Sequence, residues 1–265
     1  MWTLCPKRPL FKLPAVMVRA TRYVTPLREG GSLPALMEAD DDGLYVVKFR
    51  GAGQGAKALV AELVAGELAR RLGLLVPDIV LVDVDPVLGL AEPDPEIQEL
   101  ISASAGLNIG LDFLPGALPF DPAVGMPLDP LLAGSIVWFD ALVTNVDRTP
   151  RNPNLLVWHD RLWLIDHGAA FYAHHSTPEF ASLAERPFPM IAEHVLLPFA
   201  GSIAEADAAL APRLDRGVLD EVAGLVPDEW IDGGRREVYA DYLEARLRGP
   251  RVFAEEAEHA RLALG

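Results

Sequence analysis

Apolar and polar positions along this chain predict its elements before any residue is given a task. GLYVVKF, at 43–49, is rich in β-branched and aromatic residues and follows the turn-prone EADDDG. It predicts a hairpin whose first strand lies near ALME. In AKALVAELVAGELARRLGL the apolar residues at 60, 64, 68 and 72 recur at helical spacing, and the run stops at Gly73 as an amphipathic helix should. DIVLVDVD then reads as a strand, so the opening third is strand, strand, helix, strand. Residues 86–130 are rich in Pro and Gly, which predicts irregular loops, a linker and the domain boundary. Beyond it, LLAGSIVWFDALVT carries helical spacing at 132, 136, 139 and 143. LLVW (155–158) and LWLI (162–165), joined by HDR, predict an antiparallel hairpin. The remainder reads as mostly helical.

Composition narrows the picture. At 265 residues and 51% apolar side chains the chain can bury a sizeable core, as one large domain or two lobes. The single cysteine, Cys5, excludes an internal disulfide and suits a reducing compartment, so a cytoplasmic location is expected. Pro6, Pro9, Lys12 and Pro14 interrupt any signal-peptide core, and no later run approaches a membrane span. No membrane partner is therefore expected. The formal net charge of −15 repels phosphodiester backbones, so no direct nucleic-acid partner is expected either. The basic opening, with Lys7, Arg8, Lys12, Arg19, Arg22 and Arg28, reads as a solvated strand and loop.

One stretch is not explained by a core. NVDRTPRNPNLL, at 145–156, sets polar groups between two apolar runs. If Trp158 faces Arg161 in the hairpin, counting back sets Asn154 opposite Ile165 and Pro153 opposite Asp166. Asn152, Asn154 and Asp166 are thereby brought together, and the helix ending near Thr144 delivers Asp147 to the same end. Capping of loop turns is the bland alternative.

This cluster resembles the catalytic apparatus of the protein-kinase-like superfamily, in which D-x-x-x-x-N is followed, a short hairpin later, by D-x-G. Asp147 to Asn152 has that spacing, and Asp166-His167-Gly168 stands in the second place. The resemblance implies an α+β, two-lobed protein-kinase-like fold with a small β-rich N-lobe (15–110) and a mainly helical C-lobe (111–265). It implies ATP and Mg²⁺ as cofactors. Asn152 and Asp166 would be metal ligands with Asn154 in reserve, and Asp147 the group that orients and deprotonates the acceptor hydroxyl.

Lys48 in YVVKF resembles the strand lysine that holds the α- and β-phosphates. Of the two acids on the following helix, Glu67 has Arg70 and Arg71 at i+3 and i+4, which leaves Glu62 as the better partner for Lys48. Gly30, Gly31 and Ser32 fall where a phosphate lid is expected. GLNIGLDFLPG (106–116) is where the hinge is expected, with Asp112 and Phe113 as the positions meeting adenine.

Asn145 two residues before Asp147, a glycine-poor lid and the sequence after Lys48 are together similar to the HipA-like kinases of bacteria, over roughly residues 20–175. Members of that family phosphorylate Ser or Thr of a protein. The founding toxin of the toxin-antitoxin type modifies glutamyl-tRNA synthetase and is restrained by a DNA-binding antitoxin. The resemblance implies an ATP-dependent serine/threonine kinase with a protein substrate and an antitoxin-like regulator. Thr149 replaces a histidine of the founder's catalytic loop.

Three other readings stay open. GAGQGA (51–56), between a strand and a helix and with Asp83 and Asp85 ending the next strand, fits a dinucleotide-binding oxidoreductase. A pseudokinase binding module keeps the fold without transfer. A small-molecule phosphotransferase of the antibiotic-kinase type shares the same motifs. His167, His174, His175 and His194 read as ordinary loop histidines rather than zinc ligands, and Trp138, Trp158 and Trp163 as core.

Overall fold

The computed structural model describes residues 16–27, 33–53, 55–177, 179–231 and 233–264, which fall into two compact units. The first comprises Met1–Leu59 and Pro77–Pro115, the second Val60–Val76 and Gly116–Gly265. The fold is α+β.

The first unit is a closed barrel of five strands: β1 (Met17–Pro26), β2 (Ala35–Ala39), β3 (Leu44–Lys48), β4 (Ile79–Val84) and β5 (Gly106–Asp112), in the order β1-β2-β3-β5-β4. All neighbours are antiparallel except β1 and β4, whose parallel pairing of Val18 with Val82 closes the barrel. Every second residue of β2 and β3 is buried, and Ala35, Met37, Tyr45 and Val47 join Val18, Val80, Val82 and Ile101 in one core. Arg19 and Arg22 stand on β1 as exposed residues, Arg22 paired with Glu38. The hairpin around EADDDG forms as expected, with Ala35 opposite Val47 and Glu38 opposite Leu44.

The antiparallel neighbours of β3 rule out the dinucleotide-binding reading, which requires a parallel β-α-β unit. Reading residues 86–130 as irregular linker is also corrected. Residues 95–103 form helix α2 (Pro95–Ala103), capped by Asp94, and β5 is central to the barrel. The Gly in β5 that suggests a loop serves packing: a Cβ on Gly110 would lie 2.6 Å from Val82 Cγ2 and 3.1 Å from Val80 Cγ2. Buried Asn108 completes this side, accepting from the Arg50 amide at 2.8 Å and donating to the carbonyls of Ser104 and Gly106.

Helix α1 (Ala56–Leu72) runs on from the first unit, and its residues from Val60 onward belong to the second. It ends as its sequence predicts. Gly73, at φ 85°, returns its amide to Arg70 and Leu74 returns its own to Ala69, the paired bonds of a glycine-terminated helix. Burial runs unbroken from Leu59 to Gly66, so α1 is enclosed well beyond a single apolar stripe, and the run includes Glu62.

In the second unit a short sheet orders β6 (Leu118–Pro119), β7 (Leu155–Trp158) and β8 (Arg161–Leu164), and the Leu164 amide bonds the Leu75 carbonyl at 2.8 Å. Helix α3 (Pro130–Leu142) starts at the Asp129 cap and is buried from Ile136 to its end. Turns of tight helix follow to Phe199, then α4 (Ile203–Leu210), α5 (Arg216–Ala223), α6 (Glu237–Arg248) and α7 (Val252–Leu262). Arg213 donates to the carbonyls of Leu72 and Arg71, and Arg71 pairs with Glu221 at 2.9 Å, so α1 is fastened at its C-terminal end within this unit. Trp138 packs edge-on to Phe253, and buried Arg246 ties the Ala141 and Ala184 carbonyls together. Trp158 and Trp163, by contrast, are half-buried and meet edge to face at the hairpin. No helix among the described residues is long and apolar enough to cross a membrane.

Candidate active site

The polar stretch after α3 is organised by a buried charge that the sequence displays but does not interpret. Asp140, alone among apolar residues on the last turn of α3, is fully buried and accepts from three directions. Arg148 Nε lies at 2.6 Å, His194 Nε2 at 2.9 Å and Asn145 Nδ2 at 3.0 Å. His194 Nδ1 accepts from the Leu196 amide, so its Nε2 carries the hydrogen and the imidazole is neutral. Burial alone raises the Asp140 carboxyl. The Arg148 charge and the His194 hydrogen bond outweigh that and hold it well below the usual carboxylate range. Burial pushes the His194 ring down, against the pull of Asp140.

Arg148 carries this anchor into the loop. Its Nη1 donates to the carbonyls of Asn154 and Ile165, joining the start of β7 to the residue after β8. Asn145 places the residue before Arg148, its Oδ1 accepting from the Asp147 amide at 3.2 Å. Thr149 and Asn152 exchange backbone hydrogen bonds, a tight turn that fixes the Asp147 to Asn152 spacing.

The result gathers the polar side chains. Asn152 Nδ2 lies 2.8 Å and Asn154 Nδ2 3.3 Å from Asp147 Oδ2. The hairpin register is the one counted from sequence, with Trp158 facing Arg161 and Leu155 facing Leu164. The Ile165 amide then bonds the Asn154 carbonyl at 3.1 Å, so Asp166 follows directly on the residue paired with Asn154. Asn154 and Asp166 both adopt left-handed backbone, at φ 49° and 55°, as does Thr144 at 50° just before the loop. Asn and Asp tolerate that conformation, whereas a β-branched Thr held there marks a constrained turn.

Glu62 is buried on α1 with its Oε1 3.5 Å from His167 Nδ1, while Glu67 pairs with Arg70 at 3.4 Å as its spacing suggests. In the first unit Lys48 ends β3, opposite Ile109 of β5. Asp112 ends β5 opposite Tyr45, with its amide on the Asp78 carbonyl, and the Phe113 amide bonds Leu44. Burial, then the nearby Asp78 and Asp41, raise the Asp112 carboxyl. Gly30, Gly31 and Ser32, the expected lid, lie outside the described residues.

The side chains met at Asp147 are a carboxylate and two amides. The donors on Asp147 itself are the Asn152 and Asn154 N–H groups, which leaves each amide's own carbonyl oxygen, the hard donor type that magnesium takes, turned away from Asp147. No group of three His, Cys, Asp or Glu side chains able to hold a metal occurs among the described residues. His174 instead bonds Tyr239 and His175.

A family model described as HipA-like kinase matches residues 21–245. The chain belongs to the HipA-like kinase family. As a HipA-like kinase it is a kinase-type phosphotransferase. The solved structure of the Helicobacter pylori proinflammatory kinase CtkA shares its fold at a TM-score of 0.52 and 12% identity, over 95% of this chain and 99% of the other. No curated protein matches the sequence. In this HipA-like kinase Asp140, Arg148 and His194 are the residues that sequence reasoning missed. The lone Asp within GSIVWFDALV was the available signal.

Proposed function

We propose that this HipA-like kinase transfers the γ-phosphate of ATP, with Mg²⁺, to the hydroxyl of a Ser or Thr on a protein, and that its two units are the small and large lobes of the fold. The observation that carries the reading is the convergence on Asp147 Oδ2 of the Asn152 and Asn154 amides, with the residue before Asp166 paired to Asn154. When bound, magnesium and ATP supply the transferable phosphoryl group and the charge that neutralises its oxygens.

The chain's residues do the rest. Asn152 and Asp166, with Asn154 in reserve, would hold the ion through oxygen. Asp147, its Oδ2 fixed by two amide donors, orients the acceptor hydroxyl and takes its proton. Lys48 is assigned to the α- and β-phosphates with Glu62 in support, Gly31 and Ser32 to the lid, and the chain at Asp112 and Phe113 to adenine. An antitoxin-like partner and a cytoplasmic setting belong to the same reading. The test is phosphoproteomics after induced expression of wild type and Asp147→Ala, alongside a transfer assay on aminoglycosides. Phosphopeptides present only with wild type support it; transfer to the small molecules alone, or equal patterns from the two chains, refutes it.

A further inference from the structure

His167, between Asp166 and Gly168, is fully buried, and neither ring nitrogen makes a hydrogen bond. A buried polar group left in that state costs free energy, and an apolar ring of similar size would avoid the cost. The edge of Phe139, 6.1 Å away between centroids, shows that the surroundings already suit an apolar ring. What distinguishes the site is Glu62, equally buried, with Oε1 3.5 Å from His167 Nδ1. A shift of roughly 0.5 Å brings this pair to hydrogen-bond length.

Each of the two groups sits on a fastened segment. Helix α1 is fastened by Arg213 on its last carbonyls and by Arg71 on Glu221. The backbone before His167 is fastened by Arg148 on the Ile165 carbonyl. We propose that His167 is a positioning residue that orients the Glu62 carboxylate, so that the segment bearing the metal-binding Asp166 and the helix bearing the phosphate-anchor's support are set by one contact. This rests on the kinase reading of Asp166 and Glu62.

The test compares the wild-type chain, His167→Phe, His167→Gln, Glu62→Gln and the His167→Phe/Glu62→Gln double variant. Binding of ADP with Mg²⁺ is measured by calorimetry and thermal unfolding without nucleotide. His167→Phe and Glu62→Gln are each expected to weaken nucleotide binding about tenfold, the factor carried by one hydrogen bond to a charged group. The double variant is expected to be no worse than Glu62→Gln alone, because His167 acts only through that carboxylate. His167→Gln, which keeps an N–H donor, restores binding to within about threefold. Wild-type affinity in His167→Phe, or losses that multiply in the double variant, overturns the positioning role while leaving the kinase reading intact. A wild-type chain that binds no ADP with Mg²⁺ overturns the functional reading itself, and this proposal with it.

Discussion

Replacing Asp140 by Ala should destabilise the fold more than any change at the exposed end of the site. The carboxylate is fully buried and receives Arg148, His194 and Asn145. Removing it leaves a buried guanidinium whose remaining partners are carbonyls, and Arg148 Nη2 already has no hydrogen-bond partner. Breaking a buried ion pair from one side typically costs about 3–5 kcal/mol, because the other charge stays in low dielectric. For a domain of this size that corresponds to a fall in melting temperature of roughly 6–20 °C. Asp140→Asn keeps the shape and one acceptor oxygen and loses the charge, so it should fall between wild type and Ala. Thermal unfolding followed by circular dichroism measures both. Phosphoryl transfer, assayed well below the variant's melting temperature, should fall as well, since Asn145 and Arg148 hold the loop on either side of Asp147. An Asp140→Ala protein melting within about 2 °C of wild type would refute the claim that this anchor sets the loop.

Stability should begin to decline as pH falls below about 6.5, the ordinary histidine value. The folded state holds His194 below that value while the unfolded chain takes up the proton, and Asp140 extends the loss further into acid because its folded carboxyl is also depressed. Denaturant midpoints between pH 8 and 4 check this, and a flat profile down to pH 5 would contradict it. Gly110→Ala should cost about 1–3 kcal/mol by forcing a methyl into Val82 and Val80, read as a lower urea midpoint at unchanged slope. Asn152→Ala should raise the magnesium concentration for half-maximal transfer roughly 10- to 100-fold, and an unchanged magnesium dependence would remove Asn152 from the metal set.

What was legible in the sequence was local. The end of α1 at Gly73, the α3 helix and the β7–β8 register all follow from periodicity and turn chemistry within a few residues. The hairpin alone was enough to bring Asn154 and Asp166 to one end. Strand β5 was hidden because Gly110 is chosen by Val80 and Val82 on the adjoining strand β4, and composition cannot distinguish that from a loop. Asp140, Arg148 and His194 were hidden for a different reason. Asp140 and His194 are separated by 54 residues, and a single Asp in an apolar helix declares a need for partners without naming them. Glu62 was selected by eliminating Glu67, and its contact with His167 carries no local signature.

The spacing of the motif is itself a consequence of this buried frame. Thr144, Asn154, Asp166 and Phe171 all take left-handed backbone, each where the chain must reverse around Arg148 or the end of α3. Phe171 returns its amide to the Val143 carbonyl at 2.7 Å, and Thr144 lies 3.3 Å from the Tyr242 hydroxyl, so the loop is closed at the α3 end as well as at the hairpin. Between these closures Arg148 spans from Asp140 to the Asn154 and Ile165 carbonyls. An inserted residue between 147 and 152 would break the Thr149–Asn152 turn and carry Asn152 away from Asp147. One between 154 and 166 would slip the hairpin and turn Asp166 to the opposite face. Strain held at several residues persists only where the surroundings over-determine it. Here the over-determination comes from those two closures together with the buried Asp140–Arg148 pair that spans them, which makes the site's geometry depend on Asp140 more than on any residue that would touch a substrate.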